Sequence, residues 1–226
     1  MTNLPKISKR LQCAGGYVRE GSFLADVGTD HAYLPIALMA EGHIRGGVVS
    51  DINKGPLERA CAHVREWGME QTLTPLLCDG LSALEPYAPE DILILGMGGE
   101  LIADILARAP WTKKEGIRLI LQPMTHPEIL RRFLVKNGYG IVGESLVREE
   151  KIYQILCAEY TGQSADYTEL ELMFGKQNLS RMDELTLALL CRWEQILEER
   201  RRGKRSAGAD TAEEDTLLQE IGGLKA

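Results

Sequence analysis

The sequence has little that would hold a metal, cross a membrane or cradle a polyphosphate. It has five cysteines, Cys13, Cys61, Cys78, Cys157 and Cys191, scattered and never paired as Cys-x-x-Cys. An odd, dispersed set excludes a disulfide framework and a zinc site, and predicts reduced, buried thiols in a cytoplasmic protein. No apolar run approaches the roughly 18 residues that span a bilayer. Met1 to Lys6 lacks the apolar core of a signal peptide. Basic residues are outnumbered, 26 against 33 acids, for a formal net charge of −7. That balance disfavours binding to nucleic acid through bulk charge, although distribution matters more than the sum. Local basic clusters lie at Lys6, Lys9 and Arg10, at Arg131, Arg132 and Lys136, and at Arg200 to Arg205. The ordinary reading of each is a solvated face. The turn that follows Phe23–Asp26 has one of the three glycines of G-x-G-x-x-G, and G-x-x-x-x-G-K-[ST] does not occur, so the usual dinucleotide and ATP cradles are missing there.

What is present is a succession of short apolar runs that end in acids. Phe23 to Asp26 leads into Gly28-Thr29-Asp30-His31-Ala32-Tyr33, Gly46 to Ser50 ends at Asp51, and Leu73 to Leu77 at Cys78-Asp79-Gly80. Asp91 to Leu95, the most apolar run, enters Gly96-Met97-Gly98-Gly99, and Ile117 to Leu121 ends at Gln122-Pro123. Helical patterns separate these runs at Tyr33–Glu41, Pro56–Trp67, Leu101–Ala109 and Glu128–Asn137, after an opening helix over Leu4–Arg19. Gly140–Val147 and Ile152–Tyr160 follow with only a short charged link, which predicts an antiparallel hairpin.

The predicted architecture is therefore α/β, a Rossmann-like, seven-stranded, mostly parallel sheet with a terminal antiparallel hairpin. From Leu170 onward strand signals stop. A helical stripe from Leu179 to Leu197 ending at Gly203, a loop over 204–210, and a helix capped by Thr211 and Glu214 predict a small C-terminal helical hairpin or coiled coil. The expected domains are residues 1–162 and 163–226.

Open α/β sheets bind ligands beyond the carboxyl ends of their strands, which is where Asp26, Asp51 and Asp79 fall. Asp30 beside a pyrophosphate would be repulsive, so the pattern points to a nucleoside without phosphates that carries positive charge. S-adenosylmethionine fits: its ammonium and sulfonium favour carboxylates, its ribose hydroxyls suit Asp51, and its adenine amino group suits Asp79. Each acid taken alone reads as a turn or cap residue. Three in register carry the argument.

The stretches Ser8-Lys9-Arg10-Leu11, Asp26 to Pro35, Ser50-Asp51-Ile52, Asp79-Gly80-Leu81, Gly96 to Gly99 and Gln122-Pro123 resemble the class I methyltransferases. The likeness is greater to the bacterial tRNA adenine-N1 methyltransferases acting at position 22. The resemblance covers roughly the first 160 residues; the tail matches in character. It implies a cofactor site of Asp26, Gly28, Thr29, Asp51, Ile52, Asp79, Gly80, Gly96, Met97 and Gly98, with S-adenosylmethionine as cofactor. Asp30 and His31 are candidates to touch the target base, against the alternatives of a helix cap and a backbone-bonded histidine. Tyr33 is a stacking surface or a core residue, and Lys9 and Arg10 are candidates for tRNA phosphate. The resemblance implies tRNA as partner, and the expected protein is a cytoplasmic monomer without metal or membrane contact. Many amino-group methyltransferases have a Pro-Pro-aromatic motif after the fourth strand, which this chain lacks. Competing readings are a non-catalytic adenosine-ligand sensor or tRNA-binding module, and a methyltransferase for small molecules or proteins.

Overall fold

A computed structural model describes residues 5–225, in two compact units that meet between Asp166 and Tyr167. In the first unit a seven-stranded sheet runs β3-β2-β1-β4-β5-β7-β6. Its strands are β1 (Phe23–Val27), β2 (Gly46–Asp51), β3 (Leu73–Leu77), β4 (Asp91–Met97), β5 (Arg118–Pro123), β6 (Tyr139–Arg148) and β7 (Ile152–Tyr160). β1 to β5 are mutually parallel, and β7 inserts antiparallel between β5 and β6. Pro75 lies in β3, an edge strand, where a missing N–H is tolerated.

The near-continuous apolar runs are those of strands buried on both faces. Ala25, Val27, Ile92, Ile94, Leu119 and Leu121 enter one core, packed with Ile102 and Leu106 of α4 (Gly99–Ala107) and Leu130 and Leu134 of α5 (Pro127–Lys136). Alternate residues Leu24, Val49, Leu93 and Ile120 enter the other. Ala14 of α1 (Lys9–Gly15), Ile36 of α2 (Tyr33–Ala40) and Val64 of α3 (Lys54–Glu66) pack there.

The opening helix is shorter than the periodicity predicts. Ser8 caps it by accepting from Leu11 N–H, and it ends at Gly15, followed by Gly16; Leu4 lies outside the described residues. The second unit holds α6 (Glu169–Phe174), α7 (Lys176–Arg181), α8 (Glu184–Ser206) and α9 (Ala212–Lys225). α8 does not stop at Gly203 but runs on to Ser206. A single glycine costs a helix only about 1 kcal/mol, and Arg201, Lys204 and Arg205 pair across to α9 at Asp215 and Glu214. The residues 204–206 predicted as loop are thus helical. The capping box is formed by Thr168 and Glu171 at α6, whereas Thr211 donates to Asp215 and Glu214 binds Lys204.

Two other expectations change. Cys191 is exposed, so the thiols are not uniformly buried, although all five are free. Arg131 is not on a solvated face: it is fully buried on α5, with Nε donating to Glu144 of β6 at 2.7 Å and Nη2 to Gln154 of β7 at 2.8 Å. This pair joins the hairpin to the parallel sheet's helix layer. Removing one partner leaves an uncompensated buried charge, so Glu144→Ala should lower unfolding free energy by about 3–5 kcal/mol in urea titrations. Arg131→Met combined with Glu144→Leu should recover most of that loss.

Candidate active site

The site is assembled at the carboxyl ends of β1 to β5, where turns from successive strands are stitched together. Gly28 and Thr29 N–H both donate to Ser50 O, at 2.8 and 2.9 Å, tying the turn after β1 to β2. Cys78 N–H donates to Asp51 O at 3.0 Å, tying the turn after β3 to the end of β2. Across β4 and β5, Met124 N–H donates to Met97 O and Gly99 N–H to Thr125 O, both at 2.8 Å. Gly28 has φ +75°, and a Cβ there would lie 2.1 Å from Met97 Cε. The Met97 methyl ends a flexible side chain and could shift, so it is the left-handed φ of this turn that calls for glycine.

Asp26, at the end of β1, is buried. Burial pushes its pKa up to about 6; a hydrogen bond from the Thr29 hydroxyl opposes the rise and the neighbouring Asp51 adds to it. No cation among the described residues enters this balance. A buried carboxylate without a counter-ion is unfavourable in isolation and favours a cationic ligand. Asp51 is also buried, and its Oδ1 accepts Asn53 N–H at 2.6 Å, leaving Oδ2 for a second donor. Ile52 beside it is 60% exposed, an apolar surface at the rim. Thr29 Oγ1 also accepts Ala32 N–H at 3.0 Å, so Thr29 holds the turn while its hydroxyl serves Asp26.

Asp79 differs from the other two acids. It is half exposed and ion-paired to Arg108 at the end of α4, at 2.8 Å, and Arg108 also binds Asp104. Gly80 follows with φ +54° against Ile105. Gly96 is the extra residue of a bulge between Leu95 and Met97 in β4, and Gly98 is the N-cap of α4. The motif of small residues thus forms the turn itself, with no stacking aromatic in it.

Asp30 does not cap α2; the N-cap is Ala32, without a side-chain cap. Its carboxylate is instead clamped by Arg59 of α3 and lies 3.1 Å from His31 Nε2. The His31 ring stacks on Tyr33, with centroids 4.9 Å apart and planes 12° apart, and His63 lies 4.9 Å from Tyr33 and 5.3 Å from His31. His63 Nδ1 bonds His31 O at 3.0 Å, so the histidine-backbone alternative describes His63, not the His31 ring. Arg59 and His63, one helical turn apart on α3, were not among the sequence candidates. Their i, i+4 spacing was the available signal, but nothing local joined them to the turn after β1.

The two basic candidates at the N-terminus part ways. Lys9 is exposed, whereas Arg10 turns inward, with Nη1 2.5 Å from Gln122 Oε1 and its guanidinium 5.5 Å from the Tyr153 ring. Lys151 Nζ is 5.0 Å from the same ring. A groove of about 690 Å³ beside them is lined by Lys6, Lys9 and Arg148, with Ser8, Gln12 and Glu149. Arg10 N–H donates to Glu149 Oε1 at 2.8 Å, which brings α1 to the β6–β7 turn. In the second unit, Arg201, Lys204 and Arg205 are paired with Glu198, Asp215 and Glu214, and Arg200 lies over Trp193. Among the described residues no group of three His, Cys, Asp or Glu could hold a metal ion, and no helix is long and apolar enough to cross a membrane.

Comparison with known proteins agrees with this geometry. The family described as a methyltransferase domain matches residues 7–156. The chain is 33% identical over 222 residues to the tRNA (adenine(22)-N(1))-methyltransferase of Bacillus subtilis, covering 96% of this chain and 92% of that one. A Streptococcus agalactiae protein of the NADB-Rossmann superfamily superposes with a TM-score of 0.91 at 32% identity, over 99% of both chains. A putative tRNA (m1A22) methyltransferase of Streptococcus pneumoniae, in complex with S-adenosyl-L-methionine, superposes at 0.85 with 31% identity, over 96% of this chain and 99% of that one. The chain belongs to the tRNA (adenine(22)-N(1))-methyltransferase family.

Proposed function

We propose that the protein transfers a methyl group from S-adenosylmethionine to N1 of an adenosine in tRNA, at position 22. The observation that carries the site is Asp26: a buried carboxylate without a counter-ion, beside Asp51, at the carboxyl ends of adjacent parallel strands. Asp26, Gly28 and Thr29 hold the cationic amino-acid end of the cofactor, and Asp51 takes a ribose hydroxyl through its remaining oxygen. Ile52 covers an adenine face, while Asp79 and Gly80 receive its edge, with Arg108 fixing the carboxylate. Gly96, Met97 and Gly98 flank the reacting methyl. When bound, the cofactor supplies that methyl as an electrophile on its sulfonium.

Adenine N1 carries a lone pair at neutral pH, so no residue must first remove a proton, and positioning supplies most of the acceleration. Asp30, held by Arg59, and His31, held against Tyr33, present a polar edge beyond the turn after β1 that orients the base. The Asp30 carboxylate also stabilises the cationic product. Tyr33 contributes through its stack with His31. Lys9 and Arg10 contact the tRNA, and Lys6 and Arg148 extend the cationic groove for its phosphates.

The methyl-transfer domain comprises residues 1–162 and the helical domain 163–226, acting as a cytoplasmic monomer. No observation favours the sensor reading or a small-molecule or protein substrate.

Incubation with labelled S-adenosylmethionine and unmodified tRNA, followed by nucleoside analysis, should yield N1-methyladenosine, and a tRNA with guanosine at position 22 should yield none. Absence of product from adenosine-22 tRNA would overturn the reading.

The Asp26 pKa has a sign that can be checked. Its folded value of about 6 lies above the ordinary 3.8, so its contribution to stability is present below pH 3.8 and lost as pH rises through about 6. The loss amounts to about 3 kcal/mol. Asp26→Asn should therefore raise the melting temperature of the ligand-free protein at pH 8. Calorimetry should show wild-type affinity for S-adenosylmethionine rising about tenfold per pH unit below 6, then levelling, with the Asn variant weak and flat.

Reversing Lys6, Lys9 and Arg148 to Glu should weaken tRNA binding at least tenfold. The slope of log affinity against log salt should fall by about two to three. Reversing Arg201 and Arg205, both paired with Asp215, should change both far less.

A further inference from the structure

Gln122, next to the end of β5, has a fully buried side chain, yet it serves Gly96, an exposed bulge residue of β4. In the ladder, Leu95 pairs with Gln122 and Met97 with Pro123, which leaves Gly96 as an unpaired bulge residue at φ +78°. Its N–H donates to Gln122 Oε1, at 3.1 Å. The same oxygen accepts Nη1 of Arg10 from α1, at 2.5 Å. The amide's nitrogen end is fixed separately: Nε2 donates to Pro123 O at 2.9 Å and lies 3.5 Å from Met124 Sδ.

One amide therefore links the β4 bulge, the end of β5 and the N-terminal helix, and both its ends are engaged. Bulges re-aim the chain next to active sites. This one sets the direction in which Met97 and Gly98 leave the sheet. A neutral acceptor for a single N–H would be a weak restraint. The guanidinium strengthens it through a charge-assisted bond to the same atom, and holds the amide with its oxygen toward Gly96. Arg10 is itself seated, with its N–H on Glu149 and its guanidinium beside the Tyr153 ring.

We infer that Gln122 is a positioning residue for methyl transfer and that Arg10 acts through it, the pair holding the Gly96 turn in the geometry that aligns target base and methyl donor. This rests on the reading that Gly96 and Met97 flank the reacting methyl. Arg10 thus has a task distinct from tRNA contact: loss of the contact weakens binding, whereas loss of the turn's geometry slows the bound complex.

The test compares Arg10→Met, Gln122→Met and the double variant in the full-length protein. At saturating tRNA and cofactor, each single variant should slow transfer about ten- to a hundredfold, the scale of a small misplacement at a reacting centre. The double variant should be no slower than the worse single one, because both substitutions remove the same restraint. Gln122→Met should leave the tRNA dissociation constant within about threefold of wild type. Multiplying effects, or a saturated rate that is unchanged, would overturn the proposal.

A second readout needs no activity. Hydrogen exchange at the Gly96 amide of the ligand-free protein should quicken at least tenfold in both single variants, and undiminished protection there would also overturn it. Exchange that quickens in a protein whose wild type makes no N1-methyladenosine would leave the linkage standing and remove the functional reading alone. The Arg10 variant, altered at a half-buried position, keeps the test open should Gln122→Met fail to fold.

Discussion

The end of β1 carries a carboxylate that the fold buries and does not neutralise, and the surroundings of the site follow from that. Asp26 is in contact with a hydroxyl and near another acid. A protein that needed only stability would place an apolar residue or an ion pair there, because an unpaired buried charge costs several kcal/mol. The cost is tolerable because the scaffold around it is over-determined. β1 is paired on both sides, and its side chains enter apolar cores on both faces of the sheet. That unfavourable charge lies at the open end of the sheet, where a cationic ligand would relieve it.

Cross-links between turns convert that local chemistry into a shaped site. The turn after β1 is bonded to β2, that after β3 to Asp51, and that after β4 to the chain after β5. None of these bonds belongs to the strand ladders, and each joins segments whose side chains would meet one ligand. Gly28 and Met97 bring the first and fourth turns into contact, while the Gln122 amide sets the fourth from inside the sheet. A parallel sheet leaves the C-terminal ends of its strands open, so turns gathered there must supply their own restraints.

Charge follows the same division. The chain is acidic overall, which by composition alone disfavours RNA. Yet Lys6, Lys9 and Arg148 line one groove, while the denser basic run of α8 is largely paired with acids of α8 and α9. Density of basic residues in the sequence is therefore a poor guide to available charge. What counts is whether a partner helix brings acids to the same face.

Elements, strand order class and the three strand-end acids were legible in the sequence because each depends on neighbours along the chain. Apolar runs of strand length, glycines just beyond them and a hairpin without an intervening helix are local signals. The boundaries that missed have local rules overridden by distant contacts: α8 passes Gly203 because α9 binds its far turn, and Arg131 is internal because Glu144 and Gln154 come to it. Within the site, residue types were readable but their partners were not. Asp30 meets Arg59, Asp79 meets Arg108, and Arg10 meets Gln122 across separations of 29, 29 and 112 residues. The sequence by itself determined which chemistry could collect at the strand ends, since residue types at strand termini follow from periodicity and turns. Only the tertiary structure decided which carboxylates stand without a counter-ion and which amide holds the fourth turn, because both depend on side chains that meet only once the sheet has closed.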